Sequence, residues 1–129
     1  MPHEHIAKAI KKWTVSPERL IGYKGTSRSH ALENGTYVYK KYSPNGASIV
    51  LPPGMVFHRK YLDLYSSDRF ANLRKIVDDT MNCDDILFNF IVSEATHLPP
   101  VIVQQFAKPI KMPGLWKRSN HFKGKIFNI

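Results

Sequence analysis

Ile6, Ala7, Ile10 and Trp13 recur at three- and four-residue intervals against Lys8, Lys11 and Lys12, which predicts an amphipathic helix over about residues 4–13. Ser16-Pro17 ends it, because the residue before a proline is pushed out of the helical region. Residues 19–23 then read as a short apolar strand, and residues 25–35 as a polar loop carrying Arg28 and His30. Two β-rich runs, 36–42 and 47–51, flank Ser43-Pro44-Asn45-Gly46; Asn-Gly favours a tight turn, so the pattern predicts a hairpin there. Pro52-Pro53-Gly54 breaks the second run. Phe57, Tyr61, Leu62, Leu64 and Tyr65 predict a helix, followed by others over about 70–77 and 84–96. Val101-Ile102-Val103 is the best candidate for a buried strand, and from Phe106 onward the pattern gives way to Pro, Gly, Lys and aromatics. Helices and strands interleave, so the class is α/β, and 129 residues make one domain.

Composition narrows this picture only a little. A hydrophobic fraction of 43% with 12% aromatics excludes a disordered chain. The formal charge of +9 attracts polyanions, whether nucleic acid, acidic membrane surface or acidic polysaccharide. Lys108, Lys111, Lys117, Arg118, Lys123 and Lys125 form an acid-free basic tail over 108–129. No recognisable nucleic-acid-binding motif accompanies the charge, so a nucleic-acid-binding domain is the rival reading and no nucleic-acid partner is expected. No apolar run spans a bilayer, and the first residues lack a signal-peptide core. Asn34-Gly35-Thr36 matches a glycosylation acceptor, a triplet common by chance.

The chemistry concentrates at Asp78-Asp79-Thr80-Met81-Asn82-Cys83-Asp84-Asp85, where four carboxylates, an amide and the single cysteine precede the apolar run of the third of these helices. Adjacent carboxylates repel one another and lose solvation when buried. Helix capping by Asp79, Asn82 or Asp84 accounts for one or two of them. The surplus points to a ligand: a cation, a metal or a sugar.

These residues resemble the exostosin-type glycosyltransferases, family 64. Asp79–Ile86 followed by Asn89-Phe90 is similar to the family's acidic "NC(D/E)DI..NF" signature. Trp13, Pro17, Arg19-Leu20-Ile21-Gly22-Tyr23, Arg28 and His30 resemble its "W…P.RIVGF.PR.H" stretch, and Tyr42, Ser48–Leu51 and Phe57–Leu62 its "YS.VL…FH..YL" stretch. The resemblance covers almost the whole chain. It implies the second half of a GT-A-type nucleotide-sugar transferase fold, a mixed sheet with flanking helices.

What the resemblance implies for chemistry is specific. Asp85 corresponds to the active-site aspartate near the anomeric carbon of the transferred sugar, and Asp84 would bond sugar hydroxyls. Family members retain anomeric configuration, so the carboxylate stabilises a cationic sugar ring or acts as a weak nucleophile. Asn82 would position the loop or a hydroxyl, and Arg28 would contact donor or acceptor. Donors are UDP-sugars carrying an N-acetylhexosamine or glucuronic acid, acceptors are glycans or glycolipids, and the setting is the secretory pathway behind a membrane anchor. The implied cofactor is Mn2+, held by an upstream Asp-Asp-Asp motif that these residues do not include, so the chain is expected to be inactive alone or a remnant that binds acceptor or partner. His3, Glu4 and His5 are candidate substitute ligands, although a terminal His-x-His is more commonly solvated.

The family's late "H…RS.C" element is altered here. If His121 is its histidine, Lys125 stands at the arginine position and Asn128 at the cysteine position; alternatively Arg118-Ser119-Asn120-His121 imitates "RS.C". Either register leaves Cys83 without its implied disulfide partner. Trp116, in the same basic stretch, is a candidate sugar-stacking ring, whereas Trp13, Tyr61, Tyr65, Phe88 and Phe90 read as core.

Overall fold

A computed structural model describes residues 3–41 and 46–104. The chain runs α1 (His3–Val15), β1 (Ile21–Tyr23), β2 (Ser27–Glu33), β3 (Thr36–Lys41), β4 (Ile49–Val50), α2 (Lys60–Tyr65), α3 (Ala71–Thr80), α4 (Asp84–Thr96) and β5 (Val101–Val103). The α/β class follows, with one parallel and one antiparallel sheet. His121, Arg118, Lys125 and Trp116 lie outside the described residues.

β1 is the organising strand. It pairs in parallel with β5, Ile21 opposite Val101 and Tyr23 opposite Val103, and on its other side exchanges two 2.9 Å backbone hydrogen bonds between Ile21 and Val56. Ile21, Tyr23 and Val103 pack under α1, against Ala9, while Leu20 packs with Tyr61, Phe88 and Val92 of α2 and α4. Residues i and i+1 of a strand face opposite sides, which is how one short strand feeds both layers.

The face of α1 differs from the predicted one. Ala9 is buried, with His5 and Trp13 half-buried beside it, whereas Ile6 and Ile10 are 42% and 47% exposed. A small residue lets the helix backbone approach the sheet closely, and the Tyr23 hydroxyl donates to the His5 carbonyl at 2.6 Å to hold it there. Phe90, expected in the core, is 56% exposed on α4.

Residues 25–35 are not a loop. After a 3-10 turn at Lys24–Thr26, β2 forms and pairs antiparallel with β3 through Asn34-Gly35. Both turn residues have positive φ, 51° and 77°, the requirement of the primed turns that suit strand twist. The hairpin predicted across Ser43–Gly46 does not form: the sheet order is β3-β2-β4, with Ser27 opposite Val50 and Arg28 opposite Ile49. Two Asn-Gly pairs were available, and the earlier one makes the hairpin.

α3 carries Asp78 and Asp79 within its last turns, so these two acids belong to a helix and not to the expected loop. The chain reverses between α3 and α4 through left-handed residues Met81 and Cys83, φ 51° and 76°.

Candidate active site

The start of α4 is built by the turn before it. Asn82 is buried; its side-chain oxygen accepts the Cys83 N–H at 2.9 Å, and its own N–H donates to the Val77 carbonyl at 3.3 Å. That locks the two left-handed residues and aims α4. Cys83 occupies the N-cap position, with no side-chain capping bond, where an acid or Asn82 was expected. Asp84 and Asp85 are instead the first two helical residues, where the helix dipole and unpaired amides favour negative charge. Asp85 is only 6% exposed, and its Oδ1 accepts the Ile86 N–H at 2.9 Å.

Asn89 ties this helix to the sheet. Its Oδ1 accepts the Val50 N–H and its Nδ2 donates to the Val50 carbonyl, both at 2.8 Å, while Nδ2 also donates to the Asp85 carbonyl at 2.8 Å. β4 is thereby fixed to the backbone of the buried aspartate. Asn89 stood in the recognised motif, but its pairing with Val50 needed the fold to be seen.

Asp84 and Asp85 line one side of a cavity of about 260 Å3 whose other walls include Phe57, Leu62, Tyr65 and Phe88. Burial raises the pKa of the Tyr65 phenol, and the Asp84 and Asp78 carboxylates push it further up against an opposing effect of Arg74. Asp79 instead pairs with Lys75 at 2.6 Å, an exposed i,i+4 contact. Of the four acids, Asp84 and Asp85 reach the cavity and Asp79 turns to solvent.

The β2–β3 hairpin carries a second group of polar residues, one of which feels the charge of Asp85. Burial raises the Tyr39 phenol, Arg28 lowers it and Asp85 raises it, so guanidinium and carboxylate act on one hydroxyl from two elements. Arg28 also donates to the Ser27 carbonyl at 2.7 Å. The Tyr39 ring stands edge-on to His30, centroids 5.2 Å apart, and His30 Nδ1 lies 2.9 Å from Ser48 Oγ. Tyr39 was missed by sequence reasoning. Had residues 27–33 been read as a strand, the alternation that turns Arg28 and His30 to one face, opposite Tyr39, would have pointed to it.

No group of three or more His, Cys, Asp or Glu able to hold a metal occurs among the described residues. His5 turns its ring inward, 6.5 Å from Tyr23, rather than joining His3 and Glu4 in a ligand set. The described residues therefore do not fit a manganese site. Cys83 is the one cysteine of the sequence, so no disulfide forms within the chain. Among the described residues no helix is long and apolar enough to cross a membrane.

An α/β unit with paired carboxylates at a helix start beside an apolar cavity defines a carbohydrate-active transferase domain once its relatives are considered. The model of the glycosyl transferase family 64 domain matches residues 1–127, and the chain belongs to that family of glycosyltransferases. It is 36% identical over 121 residues to Exostosin-1c of Danio rerio, covering 88% of this chain and 16% of that protein. It is 40% identical over 99 residues to Exostosin-1 of Mus musculus, covering 75% of this chain and 13% of that protein. The chain thus spans less than a fifth of the length of these curated relatives.

Proposed function

We propose that this domain forms part of a retaining glycosyltransferase that moves an N-acetylhexosamine from a UDP-sugar to a glycan or glycolipid acceptor. The observation that carries the reading is the placement of Asp84 and Asp85 on the wall of the apolar cavity beside Tyr65 and Phe88. An acetamido methyl suits aromatic walls, and its N–H suits a carboxylate acceptor. Glucuronate would place a third carboxylate beside two others, with no cation lining the cavity to offset it.

In the proposed reaction the acceptor hydroxyl oxygen bonds the anomeric carbon as the diphosphate leaves with the electron pair of the broken bond. The acceptor proton passes to the departing diphosphate. Asp85 stabilises the positive charge that grows on the sugar ring, as a carboxylate the fold already holds in place. Asp84 accepts from sugar hydroxyls, Asn82 fixes the turn that presents both acids, and Arg28 with Tyr39 meets an anionic or hydroxylated part of the substrate. His121, Arg118 and Lys125 are assigned substrate contacts by resemblance to the family. A divalent ion, manganese in the family, would be supplied with its ligands from outside these residues, and the working site would be a membrane of the secretory pathway.

The test is Asp85→Asn in a longer protein that contains this domain, with transfer assayed from UDP-N-acetylglucosamine and UDP-glucuronate. Transfer of the N-acetylhexosamine should fall by about a hundredfold or more, the scale of a lost electrostatic stabiliser, while the variant still unfolds cooperatively. Normal turnover in that variant would remove Asp85 from the mechanism. Equal use of glucuronate by the unmodified protein would overturn the donor assignment.

A further inference from the structure

β5 is the outer strand of the parallel pair, and among the described residues no strand pairs with its far side. Its register shows which groups face outward. The Val101 N–H donates to the Leu20 carbonyl across the pair, so by strand alternation the N–H and C=O of Ile102 point away from β1. A two-stranded sheet is marginal on its own, and parallel strands are ordinarily flanked by others.

Beside this edge lies an open groove of about 680 Å3 between β5 and α1. Lys8, Lys11, Lys12 and Arg19 line it together with Val15 and the β5 residues, and no carboxylate lines it. The three lysines are exposed. Arg19 is partly engaged, its Nε donating to the Pro99 carbonyl at 2.8 Å. An exposed strand edge invites pairing, and a row of cations beside it selects for an incoming chain that carries carboxylates.

We propose that this edge is the docking site of an extended acidic polypeptide strand from outside residues 1–129. The strand would pair with the outward N–H and C=O of Ile102 and turn alternate carboxylates toward Lys8 and Lys12. The spacing agrees: residues four apart on a helix rise about 6 Å, and alternate residues of a strand repeat every roughly 6.6 Å. Lys11 then flanks the same row, and the apolar residues of the incoming strand face the opposite side of the sheet, beside Ile102. Main-chain pairing supplies affinity and the charge row supplies choice of partner, as in strand addition generally.

The probe is a soluble peptide of about eight alternating valines and aspartates, long enough for one strand. Its valine–lysine counterpart and a short oligothymidylate serve as comparisons, each titrated into the 129-residue chain at low and high salt. The acidic peptide should bind, slow hydrogen exchange at the Ile102 amide, and weaken as salt rises. The double variant Lys8→Glu/Lys12→Glu, altered only at exposed positions, should lose about tenfold or more in affinity for it and gain affinity for the lysine peptide. An unchanged Ile102 amide, or a reversed variant that treats the two peptides as the unaltered chain does, overturns the proposal. Binding of the oligothymidylate alone also overturns it and assigns the groove to a nucleic acid.

Discussion

Gly22 shows what one residue settles in this fold. A Cβ built there would sit 2.2 Å from Val50 Cγ1 and 2.7 Å from Cγ2, well inside contact distance. β1 can therefore lie against β4 only where the side chain is a hydrogen. Gly22→Ala should cost about 1–3 kcal/mol, the range for forcing extra volume into a packed core, read as a lower urea midpoint. A midpoint equal to the parent's would mean that Val50 swings aside without strain. The glycine stood in the recognised motif, but its reason did not, since the atom it avoids belongs to a strand distant in sequence. Asp84 and Asp85 were legible as the start of a helix because capping, dipole and the following apolar period are all local signals. The influence of Asp85 on the Tyr39 phenol was not legible, because the two residues are far apart in sequence and only the folded sheet sets them in one electrostatic environment.

At the scale of elements, β4 and α4 depend on one side chain. Asn89 is buried and satisfies both main-chain groups of Val50 together with the Asp85 carbonyl. Asn89→Leu keeps an apolar volume but orphans the Val50 N–H and C=O, each costing about 1–3 kcal/mol when buried, so the loss should be at least about 2 kcal/mol. Proton exchange at the Val50 amide reports it directly, and an amide as protected as in the parent would show that another acceptor takes over. The same element scale explains where pattern reading stopped. α2, α3 and α4 follow from apolar spacing, which is local, and they appear within a few residues of the expected bounds. β2 was hidden because Ser27, Arg28, Ser29 and His30 are polar on both faces: Ser27 and Ser29 are buried by hydrogen bonding rather than by apolar contact, Ser29 Oγ donating to the Gly46 carbonyl at 2.6 Å. A polar strand lacks the alternation that marks one, so the wrong Asn-Gly pair was assigned the hairpin.

Over the whole molecule, the tyrosines link packing to pH. Burial raises the phenol pKa values of Tyr23 and Tyr61 above the ordinary 10.0, and the hydroxyls donate to the carbonyls of His5 and Glu18, each at 2.6 Å. Lys60 moves the same way, raised chiefly by its hydrogen bond to Glu18. In each case the folded chain holds its proton to a higher pH than the unfolded one. Above about pH 10 the unfolded state therefore binds fewer protons, and the free energy of unfolding falls as pH rises. The stabilisation is complete below the unfolded values and is lost as pH climbs through the folded ones. Urea midpoints taken between about pH 8 and pH 11 should thus decline on the alkaline side. Tyr23→Phe and Tyr61→Phe should be less stable at neutral pH, each by about 1 kcal/mol for the lost hydrogen bond, and should show a shallower alkaline decline. A decline as steep in the double variant as in the parent would transfer the effect from these two phenols to Tyr39, Tyr65 and Lys60, which are raised as well. Because Tyr23 fastens α1 to β1 and Tyr61 fastens α2 to the segment before β1, a shallower decline in the double variant makes the alkaline transition a report on the two attachments that hold the helical layers on either side of one three-residue strand.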